Sequence, residues 1–130
     1  MKILAGTNIF ISALLYPKSK PSLALLHTAR HHELILTDFN IAELRNVVIK
    51  KFPEKQADID VLLAELAFEM VPAPKSPQKL ITDPKDAPIL NAAILADVEI
   101  IISGDKHFLN LSMNRPRTLT PAEYLDLEEG

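Results

Sequence analysis

Apolar positions along this chain recur in two alternating rhythms. Short runs read as strands: Lys2-Ile3-Leu4-Ala5, Glu33-Leu34-Ile35-Leu36, Met70-Val71-Pro72, Glu99-Ile100-Ile101-Ile102-Ser103 and a last segment near Arg117–Leu119. Between them lie longer stretches with helical spacing: about Asn8 to Leu15, Ser22 to Arg30, a helix capped by Thr37 or Asp38 and running to Phe52, Ala57–Phe68, Asp83–Ala96, and a short helix opened by Pro121. The breaker segment Tyr16-Pro17-Lys18-Ser19-Lys20-Pro21 separates the first two helices, and Pro53 stops the third. Strand-helix alternation of this kind predicts an α/β fold with helices on both faces of a parallel sheet. The expected architecture is a three-layer α/β/α sandwich around a central, mostly parallel sheet of four to five strands.

Two segments set the depth of the core. Asp83–Ala96 carries Ile89, Leu90, Ala92, Ala93, Ile94 and Leu95 almost consecutively, which predicts a helix buried nearly all round. Ile100-Ile101-Ile102 is too uniformly apolar to face water on either side. Met70-Val71-Pro72 tolerates its proline only at a sheet edge. The apolar face of Val61, Leu62, Leu63 and Leu66 reads either as core or as a dimer contact.

Length and charge narrow the partners. At 130 residues the chain is expected to be one domain over 1–130. Its formal net charge of −3 argues against coating nucleic acid by bulk charge, so any contact with RNA or DNA needs a local patch or metal ions. Lys18, Lys20, Arg45, Lys85, Lys106, Arg115 and Arg117 are the basic residues that could meet a phosphate backbone. Aromatic residues are only 5%, so base stacking has few platforms. The absence of cysteine excludes disulfides, thiolate zinc sites and a cysteine nucleophile. No signal peptide and no apolar run of membrane-spanning length is evident, and a cytoplasmic protein with no membrane partner is expected.

Ligands of open α/β sheets bind beyond the carboxyl ends of the strands. Those tips here carry Gly6-Thr7-Asn8, then Thr37-Asp38 with Glu43 one turn into the following helix, and Gly104-Asp105 after the isoleucine strand. The buried helix opens with Asp83-Pro84-Lys85-Asp86. Glu43, Asp86 and Asp105 can therefore converge at one sheet edge. Crowded carboxylates repel unless protonated or bridged by a cation, and an all-oxygen set suits Mg²⁺ or Mn²⁺. Such a site activates water and steadies charge on a phosphoryl group.

Each of these residues also has a local reading. Thr7 and Asn8 are good helix caps, and Ser103 is a strand-end hydroxyl. Asp83 before Pro84 reads as a structural N-cap with Asp86 as its third-residue partner, although Pro88 argues for a helix start nearer Lys85 or Asp86. Glu43 flanks the apolar stripe of Ile41, Leu44, Val47 and Val48, and Asp105 reads as a turn aspartate. The histidines predict no metal site by spacing: His31 and His32 are adjacent, no H-E-x-x-H occurs, and His27 reads as a helix-surface residue. A receiver-like or phosphatase-like domain is disfavoured, because the first strand tip carries no acid and no late strand ends in lysine.

The stretches KILAGTNIFISALL, TDFNIAELRNVV, TDPKDAPILNAAILA and EIIISGDKHFL resemble the four ordered motifs of the PIN domain family, in the flavour of VapC-like toxins of toxin–antitoxin pairs. The resemblance runs from Met1 to about Leu109. It implies a metal-dependent endoribonuclease acting on RNA, a homodimer, and a small antitoxin that holds it inactive. Glu43, Asp86 and Asp105 then stand at the family's acidic positions and would hold Mg²⁺ or Mn²⁺. Thr7, Asn8, Ser103 and Lys106 would surround them. His107 takes the place of a further acid, and as a ligand it would favour Mn²⁺. Gly6 stands where the family has its first aspartate, which implies a weakened or dead nuclease. The alternative is a catalytically inactive PIN-like scaffold that acts by binding the antitoxin.

Overall fold

In the computed structural model, which describes residues 1–129, five parallel strands lie side by side in the order β3-β2-β1-β4-β5. They are β1 (Lys2–Ala5), β2 (Glu33–Thr37), β3 (Glu69–Val71), β4 (Ile100–Ile102) and β5 (Arg117–Leu119). The helices between them are α1 (Thr7–Leu15), α2 (Lys20–His31), α3 (Asp38–Lys51), α4 (Gln56–Glu65), α5 (Ala87–Leu95), α6 (Lys106–Leu109) and α7 (Pro121–Glu129). The expected α/β architecture is therefore borne out, with five strands and no antiparallel pair among the described residues.

β1 occupies the centre because both its faces are apolar: Ile3, Leu4 and Ala5 are fully buried. Leu4 registers with Ile35 on one side and Ile101 on the other. The two-residue alternation of a strand then sends neighbours to opposite layers. Ile3, Ala5, Leu34, Leu36, Ile100 and Ile102 pack with residues of α1 to α4 and with Tyr124 of α7. Leu4, Ile35 and Ile101 pack with Ile89, Leu90 and Ala93 of α5 and with Phe108. One alternation thus builds two cores and three layers.

Strand order fixes where a ligand can enter. From β1 the chain steps outward to β2 and β3, then returns to the other side of β1 for β4 and β5. The reversal leaves a crevice between the tips of β1 and β4, the general position of ligand sites in such sheets.

Local chemistry moved several boundaries. α5 begins at Ala87, and Asp83–Asp86 forms a turn instead of the expected first helical turn. A helix from Asp83 would need a hydrogen bond from residue 88 to residue 84, and Pro88 has no N–H to give. α5 is buried from Ala87 through Ala93, but Ile94 and Leu95 in its last turn are exposed. α4 ends at Glu65 because Leu66 adopts an extended conformation, carrying its side chain into the core. Leu63 and Leu66 are core, Leu62 is half-buried and Val61 is exposed, so most of the proposed dimer face is spent on the interior. α6 was not anticipated: Asp105 caps it from a segment too short to show periodicity. Among the described residues no helix is long and apolar enough to cross a membrane.

Candidate active site

The tip of β1 is held by backbone alone. Gly6 N donates to Ile102 O at 2.9 Å, and Ile9 N donates to Gly6 O at 3.1 Å. Gly6 is the N-cap of α1, in extended geometry (φ −71°, ψ 161°), and makes no side-chain capping bond. Thr7 and Asn8 are accordingly the first helical residues and not the caps their types suggested. Nothing at position 6 requires glycine. A Cβ there would lie 3.5 Å from Ile102 O and 3.6 Å from Ser103 Oγ, ordinary contact distances.

α3 is aimed at this tip by its own first turn. Thr37 Oγ1 accepts from Asn40 N at 2.9 Å, and Asn40 Oδ1 accepts from Thr37 N at 2.6 Å, a reciprocal capping box. Asn40 Nδ2 also donates to Ala5 O at 3.1 Å, across from α3 to the end of β1. That tie sets Glu43, three residues on, beside α1. There Thr7 Oγ1 donates to Glu43 Oε1 at 2.6 Å. Asn40 is 2% exposed, and sequence reasoning missed it because asparagine is not the usual partner in a capping box.

The other acids come from the far side of the crevice. Asp83 Oδ1 accepts from Lys85 N at 2.9 Å, and Asp86 N donates to Asp83 O at 3.0 Å, folding the segment before α5 into a turn. Asp105 follows β4. Its N–H donates to Ser103 Oγ at 3.0 Å, and its Oδ1 accepts from His107 N at 2.8 Å. Asp105, read locally as a turn aspartate, is the N-cap of α6, and that role does not remove it from the site.

Gly6, Thr7, Asn8, Glu43, Asp86, Ser103 and Asp105 all line one cavity of about 160 Å³. Asp83 and Lys85 line it as well. Asp83 thus keeps a structural role, as a turn residue and not as the helix cap expected of it, while also lining the cavity. Lys106 and His107 lie outside the lining, both exposed on α6, with His107 Nε2 3.9 Å from Asp83 Oδ2. Of the other candidate phosphate contacts, Arg45 pairs with Asp60 and Arg115 with Asp97, which commits both elsewhere.

The electrostatics centre on Asp86. Its Oδ2 is buried and has no hydrogen-bond partner. Burial, then the charges of Asp105 and Asp83, push its carboxyl from 3.8 up to about 7. An unpartnered buried carboxylate oxygen among other carboxylates is an arrangement that a hard divalent cation relieves. The donor set here, all oxygen, fits such a cation, and Asp86 and Asp105 are the residues that would hold one. Glu43 shares the cavity but spends one oxygen on Thr7, and position 6 supplies no oxygen. Glu43, Asp86 and Asp105 do not close into a trio at mutual ligand distance among the described residues.

One group of three does close, and it lies elsewhere: His27, His32 and Glu128. Spacing arguments based on the adjacent pair His31 and His32 overlooked it. α2 ends at His31, and His32 is extended (φ −138°, ψ −177°), so His32 leaves the helical spacing that those arguments assume.

The family model of the PIN domain matches residues 2–107 of the chain. Among solved structures, a chain in the crystal structure of VapBC2 from Rickettsia felis bound to a DNA fragment from their promoter is similar, with a TM-score of 0.70 and 18% identity over 92% of this chain and 98% of that one. That likeness is one of fold. No curated protein is a significant match by sequence.

Proposed function

The chain belongs to the PIN domain family, and on that premise we propose that it is a VapC-like toxin: a divalent-metal-dependent endoribonuclease for RNA phosphodiester bonds, weakened by the glycine at position 6. The observation that carries this reading is the buried, unpartnered Oδ2 of Asp86, placed beside Asp105 at the crevice between β1 and β4. Asp86 and Asp105 would hold Mg²⁺ or Mn²⁺, with Glu43 across the cavity. When bound, such an ion supplies Lewis acidity toward a phosphoryl oxygen and toward an attacking water. Without an ion Asp86, with a pKa near 7, holds a proton into the neutral range, which metal binding would displace. Lys85, at the rim, offers positive charge to a phosphate, and Thr7 fixes the position of Glu43. Around this centre we place a homodimer and a small antitoxin partner, in the cytoplasm, with operator DNA reached only through the antitoxin. VapBC2, of like fold, is itself a complex on promoter DNA.

A second reading has its own support. Position 6 lacks an acid and Glu43 is already bonded to Thr7, which favours a catalytically inactive scaffold that works by binding its antitoxin. Cleavage of a mixed RNA substrate with Mn²⁺, for the chain as it stands and for Gly6→Asp, separates the two. Losing even an outer partner of a metal ligand lowers activity about 10–100-fold. Restoring the acid should therefore raise cleavage by at least about 10-fold. A folded Gly6→Asp protein with no metal-dependent cleavage overturns the nuclease and leaves the scaffold.

A further inference from the structure

We propose that His27, His32 and Glu128 form a second cation site, separate from the acidic crevice, that takes a borderline transition ion of the zinc class and clamps α7 onto α2. The proposal is independent of the nuclease reading. His27 and His32 stand near and just past the end of α2, and Glu128 stands in the last turn of α7. Glu128 Oε1 lies 3.0 Å from His27 Nε2 and is also in contact with His32 Nε2. All three candidate ligand atoms lie within 4.8 Å of one another. Zinc–nitrogen and zinc–oxygen bonds of about 2.0–2.2 Å place tetrahedral donors about 3.3 Å apart, so small side-chain rotations admit an ion.

The donor types select the ion. Two imidazoles and one carboxylate suit zinc, nickel, cobalt or copper, whereas Mg²⁺ prefers oxygen alone. Three protein ligands leave a fourth position for water. Access is adequate: the side chains of His27, His32 and Glu128 are 32%, 15% and 17% exposed. That is too little for a freely solvated cluster and enough for an ion to enter.

The surroundings hold the ligands in place. The His27 ring meets the edge of Tyr124 at a centroid distance of 5.8 Å and lies 4.5 Å from the His31 ring. Tyr124 is fully buried, and its hydroxyl lies 2.9 Å from Thr28 Oγ1. The partner of Glu128 is thus fixed by a residue that itself anchors α7. Hydrogen bonding alone gathers two ring nitrogens on one carboxylate oxygen, and an ion would gather the same three groups about itself.

The test uses tag-free, metal-stripped full-length protein titrated with Zn²⁺ by calorimetry, with Co²⁺ absorption and thermal melting as further readouts. An Asp86→Asn/Asp105→Asn background removes the acidic crevice from the count. The expected result is one Zn²⁺ per chain in that background, a raised melting temperature with zinc, and the visible bands of a tetrahedral Co²⁺ site. Glu128→Gln should weaken binding by at least about 10-fold. His27→Ala and His32→Ala should abolish it and the melting shift, and His27→Gln serves should either alanine variant fail to fold. Zinc binding that is absent, or that is equally tight in the histidine variants, overturns the proposal.

Discussion

Thr7 Oγ1 donates to Glu43 Oε1 across 2.6 Å, joining the first turn of α1 to the middle of α3 at the lip of the cavity. Hydrogen bonds to a charged partner contribute more than neutral ones. Thr7→Val keeps the shape and removes the donor, and should lower stability by about 1–2 kcal/mol. Glu43→Gln retains an acceptor and should lose less. Urea unfolding of both variants checks the order.

Asn40 ties the start of α3 to Ala5 O as well as closing the capping box with Thr37. Asn40→Ala removes the bonds of its side-chain amide in a buried place, keeps the backbone N–H bond to Thr37 Oγ1, and should destabilise by about 2–3 kcal/mol. Asn40→Asp keeps the capping acceptor but sets a buried carboxylate oxygen against Ala5 O, so its urea midpoint should fall below the parent's at neutral pH and the gap should narrow as the pH is lowered.

At position 6 the backbone is extended and an added Cβ meets only ordinary contacts. Gly6→Ala should therefore be neutral or stabilising by up to about 1 kcal/mol, because the unfolded chain loses freedom and the folded one gains no strain. Gly6→Asp adds charge beside Asp86 and Asp105. Without divalent ions it should melt below Gly6→Ala, and Mg²⁺ or Mn²⁺ should narrow that gap. Melting curves with and without the ions give both comparisons.

The raised carboxyl of Asp86 makes the metal-free protein sensitive to pH. Its pKa goes from 3.8 to about 7 on folding, chiefly through burial and then through Asp105. Between those values the folded state holds a proton that the unfolded state has released, so stability falls as pH rises from about 4 to about 7. Asp86→Asn, which cannot ionise, should flatten that slope. Thermal melting across this range, in chelator, measures it.

Much of this fold was legible because its central strands are apolar on both faces, a pattern that only a sheet covered by helices satisfies. Ile100-Ile101-Ile102 and Glu33-Leu34-Ile35-Leu36 fell on β4 and β2 for that reason. The acidic cavity was legible as well, since Glu43, Asp86 and Asp105 each follow a strand tip or open a helix at the same sheet edge. The start of α5 had two local signals: Asp83-Pro84 is a good cap, but the missing N–H of Pro88 argues for a start nearer Lys85 or Asp86, and Asp86 is the cap. The tie of Asn40 to Ala5 and the meeting of Glu128 with His27 and His32 left no local signal. Their partners are far apart in the sequence, and only the packing of α3 on β1 and of α7 on α2 brings them together.

Because position 6 is secured entirely through its main chain, no bond of the fold is lost when a side chain is added there. Glycine and aspartate codons of the GGU/GAU and GGC/GAC kind differ at one base. Where the codon is of that kind, a carboxylate at this tip comes or goes by one base, and its cost to the fold is repulsion by Asp86 and Asp105, which a divalent ion would offset.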